Sequence, residues 1–128
     1  MLPIRESGAP APQAAAPHPR PALERGPQSW QSLDGTWAFD VGSAFGLGRG
    51  ETPPRFDHRI EVPFPPESAA SGLGLSGYLH TVWYRRTLEV PGAWRGAGRV
   101  WLHFGAADYH ACVWLGDEFL GEHVGWWR

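Results

Sequence analysis

Short runs that alternate apolar and polar residues, each broken by glycine or proline, constrain this chain more than anything else in it. In residues 82–90, Val82, Tyr84, Arg86, Leu88 and Val90 alternate with Trp83, Arg85, Thr87 and Glu89, and Pro91-Gly92 stops the run. Successive side chains of a β-strand point to opposite faces, so a period of two marks a strand half buried in a sheet. The pattern recurs as Trp37, Phe39 and Val41 against Ala38 and Asp40, just after the tight turn of Asp34-Gly35. It recurs again as Val100, Leu102 and Phe104 in residues 99–104, and as Ala111, Val113 and Leu115 in residues 110–115. Residues 60–62 form a shorter strand stopped by Pro63. Gly116-Asp117 suits a two-residue hairpin turn, where positive φ is needed, and residues 118–123 return from it. No stretch of ten residues carries a helical period, and the fold class expected is all-β.

The chain has 128 residues, room for one domain and little else. Residues 1–28 hold seven prolines and six alanines with no hydrophobic period, so they are expected to be a disordered or extended leader. The folded domain is expected over residues 29–128. A formal charge of −2 points neither to nucleic acid nor to an anionic membrane. No apolar stretch approaches the ~18 residues of a membrane span, and Met1-Leu-Pro-Ile-Arg5 lacks the pattern of a signal peptide. A cytoplasmic location is the expectation. The single cysteine, Cys112, excludes an intramolecular disulfide and sits in an alternating run as a packed small hydrophobe.

Several fragments, taken in order, resemble the N-terminal sugar-binding domain of family 2 glycoside hydrolases, the relatives of β-galactosidase, β-glucuronidase and β-mannosidase. They are His18-Pro-Arg-Pro21, Ser32-Leu-Asp-Gly-Thr-Trp-Ala-Phe39, Ile60-Glu-Val-Pro-Phe-Pro-Pro-Glu-Ser68, Ser71-Gly72, Val82-Trp-Tyr-Arg-Arg86, the segment from Gly105 to Trp114, and Gly121-Glu-His123. The resemblance covers residues 18–123 and implies a galactose-binding-like jelly-roll β-sandwich. In such enzymes the sandwich packs against an immunoglobulin-like domain and a (β/α)₈ barrel. Two barrel glutamates ~5–5.5 Å apart perform retaining hydrolysis. No position of this chain matches those glutamates, so no catalytic residue is expected here. The family pattern also departs after His123, where this chain reads Val124-Gly-Trp-Trp-Arg128, so the jelly roll is expected to be incomplete at its C-terminal side. An open sandwich leaves apolar faces and strand edges in water, so the isolated chain is expected to be marginally stable.

The function implied is that of a non-catalytic sugar-binding-domain portion of a family 2 glycosidase, with carbohydrate and the barrel and immunoglobulin-like domains as partners. The alternatives are a stand-alone carbohydrate-binding module completed by oligomerisation, or a non-functional relic. Within the loop of residues 63–80, Glu67, Ser68, Ser71, Tyr78 and His80 supply hydrogen-bonding groups that the resemblance brings near the sugar, and Asp108 heads a later strand. Trp101 and Trp114 point away from the inward residues of their strands and form a candidate exposed aromatic platform. His103 and His110 are expected to face each other on neighbouring strands, too few ligands for a metal. No metal and no cofactor is expected.

Overall fold

The computed structural model describes residues 30–42, 54–96 and 98–125. The chain divides into two compact units, Met1–Gln31 and Ser32–Arg128, and the strands of the described residues belong to the second. The expected leader up to residue 29, residues 43–53 and Trp126-Trp127 lie outside the described residues.

Among the described residues five strands run in order: β1 (Gly35–Val41), β2 (His58–Val62), β3 (Val82–Arg85), β4 (His110–Leu115) and β5 (Glu118–Val124). Short 3₁₀ turns lie at Ala69–Ser71 and Gly92–Trp94. The described part of the fold is all-β, with both sheets antiparallel, as the period of two requires. One sheet has the order β2-β1-β3 and the other is the β4–β5 hairpin. Among the described residues no helix is long and apolar enough to cross a membrane.

β1 is the central strand of its sheet. Phe39 lies between His58 of β2 and Tyr84 of β3, and Trp37 lies beside Ile60. Trp37, Phe39, Ile60, Val82 and Tyr84 therefore share one face, as the alternation predicts. Phe39 and Ile60 are each 1% exposed, and the Tyr84 ring meets Phe39 edge to face at 5.2 Å. Ala38, on the opposite face, is buried as well, so this strand is covered on both sides.

Two expected strands are corrected. The strand expected over residues 82–90 ends at Arg85, where the ladder to β1 stops at the Ala38–Arg85 pair. The next residue, Arg86, is drawn elsewhere. Its Nη1 donates to the carbonyls of Leu33 (2.6 Å) and Asp34 (2.9 Å), and its guanidinium lies 5.8 Å from the Trp37 ring. Residues 99–104 form no strand, and Val100, Leu102 and Phe104 are exposed. Alternation says which face of a strand would be buried, but a ladder also needs a neighbour to pair with.

Gly42 follows β1 because Trp83 takes the space a side chain would need. A Cβ there would sit 2.8 Å from the Trp83 Nε1 and 3.0 Å from the Thr81 Cγ2. That packing sets Trp83 on the Ala38 face of the sheet, where its ring stacks on Trp114 of β4 at 5.6 Å. Phe119 of β5 closes the cluster edge-on to Trp114 at 5.4 Å. The two sheets thus meet through aromatic rings.

Candidate functional site

The loop between β2 and β3 is the segment the sequence marks for ligand proximity, and it is built largely by its own hydrogen bonds. Ser68 caps the 3₁₀ turn at Ala69–Ser71, its Oγ accepting from the Ala70 N–H at 3.1 Å. The Ser71 hydroxyl, 1% exposed as a residue, donates to the carbonyl of Ser68 at 2.7 Å and accepts from the Leu73 N–H at 3.2 Å. Gly72 ends the turn in the left-handed region (φ 83°), and the Leu75 N–H ties back to the carbonyl of Pro66 at 2.9 Å. The turn packs against β2. Ser68 and Ser71 therefore spend their oxygens on the loop itself.

The other loop residues remain outward. Glu67 and His80 are exposed, and Tyr78 is 83% exposed. Tyr78 and His80 are brought together, ring edge to ring face, with centroids 4.5 Å apart. Burial pushes the Tyr84 phenol above its ordinary value, and the Glu67 carboxylate adds to the shift. Asp108 is exposed and precedes β4 rather than joining this loop.

Trp101 and Trp114, the candidate aromatic platform, differ in their surroundings. Trp101 is 78% exposed and lies outside any strand, whereas Trp114 is half-buried between Trp83 and Phe119. The reason is that Trp114 points toward the other sheet, where Trp83 covers its ring.

Electrostatic partners are local. Asp40 accepts from the backbone N–H groups of Val41 (2.8 Å), Phe56 (3.2 Å) and Asp57 (3.4 Å), and it lies 3.8 Å from His58. The Val41 N–H does most to hold its carboxyl below the ordinary value; the opposing effect of burial is outweighed once the Asp57 and Phe56 N–H groups and His58 are added. Arg85 lies over the Phe56 ring at 4.2 Å, and Thr36 donates to Glu61. The carboxylates of Asp40 and Glu61 are thus held as structural acceptors.

The sequence reasoning missed a cluster on the β4–β5 hairpin. β4 pairs with β5, so His110 is aligned with Val124 and not with His103. Its imidazole instead meets Glu122 at 3.3 Å and lies 3.7 Å from the Cys112 sulfur. The signal present in the sequence was the His-x-Cys spacing, which puts both side chains on one face of a strand.

No model of a known protein family matches the chain. It is similar to the β-glucuronidase of Canis lupus familiaris, with 29% identity over 122 residues, covering 85% of this chain and 18% of the relative. With the β-glucuronidase of Paenibacillus borealis it shares 28% identity over 99 residues, covering 74% of this chain and 16% of the relative. With that of Felis catus the identity is 27% over 122 residues, covering 85% and 18%. The chain spans less than a fifth of the length of these curated relatives. Over most of its residues, this chain is related to the β-glucuronidases and through them to the family 2 glycoside hydrolases.

Proposed function

We propose that this chain is a non-catalytic part of a family 2 glycosidase, the sugar-binding sandwich that supports the catalytic barrel, folded as a jelly roll. The observation that carries the reading is that three β-glucuronidases align with 74–85% of this chain, yet only 16–18% of each relative is matched. Two antiparallel sheets joined through Trp83 and Trp114 fit one part of such a sandwich. Val100, Leu102 and Phe104, exposed and unladdered, would be covered by further strands or by the barrel and immunoglobulin-like domains. By the names of its relatives, the parent enzyme's substrate would be a β-glucuronide.

In this reading the chemistry of glycoside cleavage belongs to the barrel, and this chain contributes position. Tyr78 and His80, held together at the outer side of a self-bonded loop, would offer a phenol and an imidazole to the rim of the sugar pocket. Ser68 and Ser71 would act one step back, by fixing the loop on which that pair stands.

The purified chain, incubated with a nitrophenyl β-D-glucuronide, is expected to release no nitrophenol above the buffer rate. Turnover that co-purifies with the folded chain would sink the reading, because hydrolysis needs an acid/base and a nucleophile that the reading puts elsewhere.

A further inference from the structure

One face of the β4–β5 hairpin carries three side chains of the kinds that hold borderline-soft metal ions. His110 and Cys112 are two residues apart on β4 and project to the same side. Glu122 lies directly across from Cys112 in the β4–β5 register. The irregularity in that ladder falls later, between Val113 and Trp114, so the pairing of Cys112 with Glu122 is undisturbed. The His110 Nε2 is 3.3 Å from the Glu122 Oε2 and 3.7 Å from the Cys112 Sγ, and the three donor atoms lie within 4.8 Å of one another.

The two separations from His110 match edges of a tetrahedron around zinc, and the sulfur and the carboxylate, within 4.8 Å of each other, complete the set with a small side-chain rotation. Bonds of about 2.0–2.1 Å to nitrogen, about 2.0–2.2 Å to oxygen and about 2.3 Å to sulfur place nitrogen about 3.3–3.4 Å from oxygen and about 3.6 Å from sulfur. His110 already stands at both spacings.

We propose that His110, Cys112 and Glu122 bind one Zn²⁺ ion, with water in the fourth position. A thiolate and an imidazole favour zinc over magnesium or calcium, which prefer all-oxygen sites. Binding exchanges the Cys112 thiol proton, released to solvent, for the sulfur–zinc bond. With two ligands on β4 and one on β5, the ion joins the two strands of the hairpin. The side chains of His110 and Glu122 are 27% and 48% exposed, so ion and water can reach the site.

The test uses the full chain without a polyhistidine tag. Titration with Co²⁺ is expected to raise a thiolate-to-cobalt charge-transfer band that saturates at one ion per chain and is lost when Zn²⁺ is added. Cys112→Ser should remove the band. Glu122→Gln and His110→Gln should weaken Zn²⁺ binding at least about tenfold, since losing even a residue that only supports a ligand costs that much. His123, paired with Ala111 on the opposite face, serves as the control, and His123→Gln should bind Zn²⁺ as the parent does. Absence of the band in the parent chain overturns the site, and that reading depends on no variant's folding. Retention of parental affinity in both Glu122→Gln and His110→Gln overturns it equally.

Discussion

At the scale of single residues, the side chains the sequence marked for ligand contact separate by what else they have to do. Ser71 is buried with its hydroxyl bonded to the Ser68 carbonyl and the Leu73 N–H. Ser71→Ala leaves both without that partner, and a loss of about 1–3 kcal/mol is expected in urea unfolding. Tyr78 has no such duty, and Tyr78→Ala should leave the unfolding midpoint within about 0.5 kcal/mol of the parent. Asp40 gives a pH signature. Its carboxyl is held below the ordinary value of 3.8, so its contribution is complete above that pH and is lost as pH falls through the lower, folded value. In Asp40→Asn this acid-side loss should disappear, with lower stability than the parent at neutral pH; acid titrations of the two followed by circular dichroism compare them. Both serines could be seen as polar loop residues, but their hydrogen bonds could not. Those depend on the 3₁₀ turn and the left-handed Gly72, which no periodicity announces.

At the scale of elements, the hairpin was legible and the absence of a strand at residues 99–104 was not. Gly116 adopts φ 59° between β4 and β5, where the sequence put the turn, because turn chemistry is local and glycine enters that region without strain. Residues 99–104 show that alternation is only half of a strand: the other half is a partner, and partners are non-local. The hairpin cluster was half legible for the same reason. His110 and Cys112 share a face by spacing alone, but Glu122 joins them through the register, which the sequence does not print. The junction between sheets is testable at Gly42. A methyl there meets the Trp83 indole at 2.8 Å, so Gly42→Ala should cost about 1–3 kcal/mol through displacement of Trp83 from Trp114. Trp83→Phe in the same background should recover part of that loss; equal instability in both proteins would show that the indole is not the obstacle.

At the scale of the whole molecule, a thin core carries the fold. Ala38, Phe39, Ile60 and Pro66 are the buried apolar residues among those described, while Val100, Trp101, Leu102, Phe104 and Leu115 stand in water. Phe39→Ala should therefore cost about 3–5 kcal/mol, a large part of the ~5–15 kcal/mol typical of a domain. Loss of the cooperative thermal transition is the expected result. Exposed apolar side chains beside a small core fit the proposed place of this chain against further strands or domains. The most direct test is to translate, in all three frames, the DNA on both sides of the segment that encodes these residues. Neighbouring sequence resembling the remaining strands, an immunoglobulin-like domain and a barrel with two glutamates is the predicted result. Flanks with no glycosidase-like sequence in any frame would contradict the assignment and leave this chain to be explained as a protein in its own right.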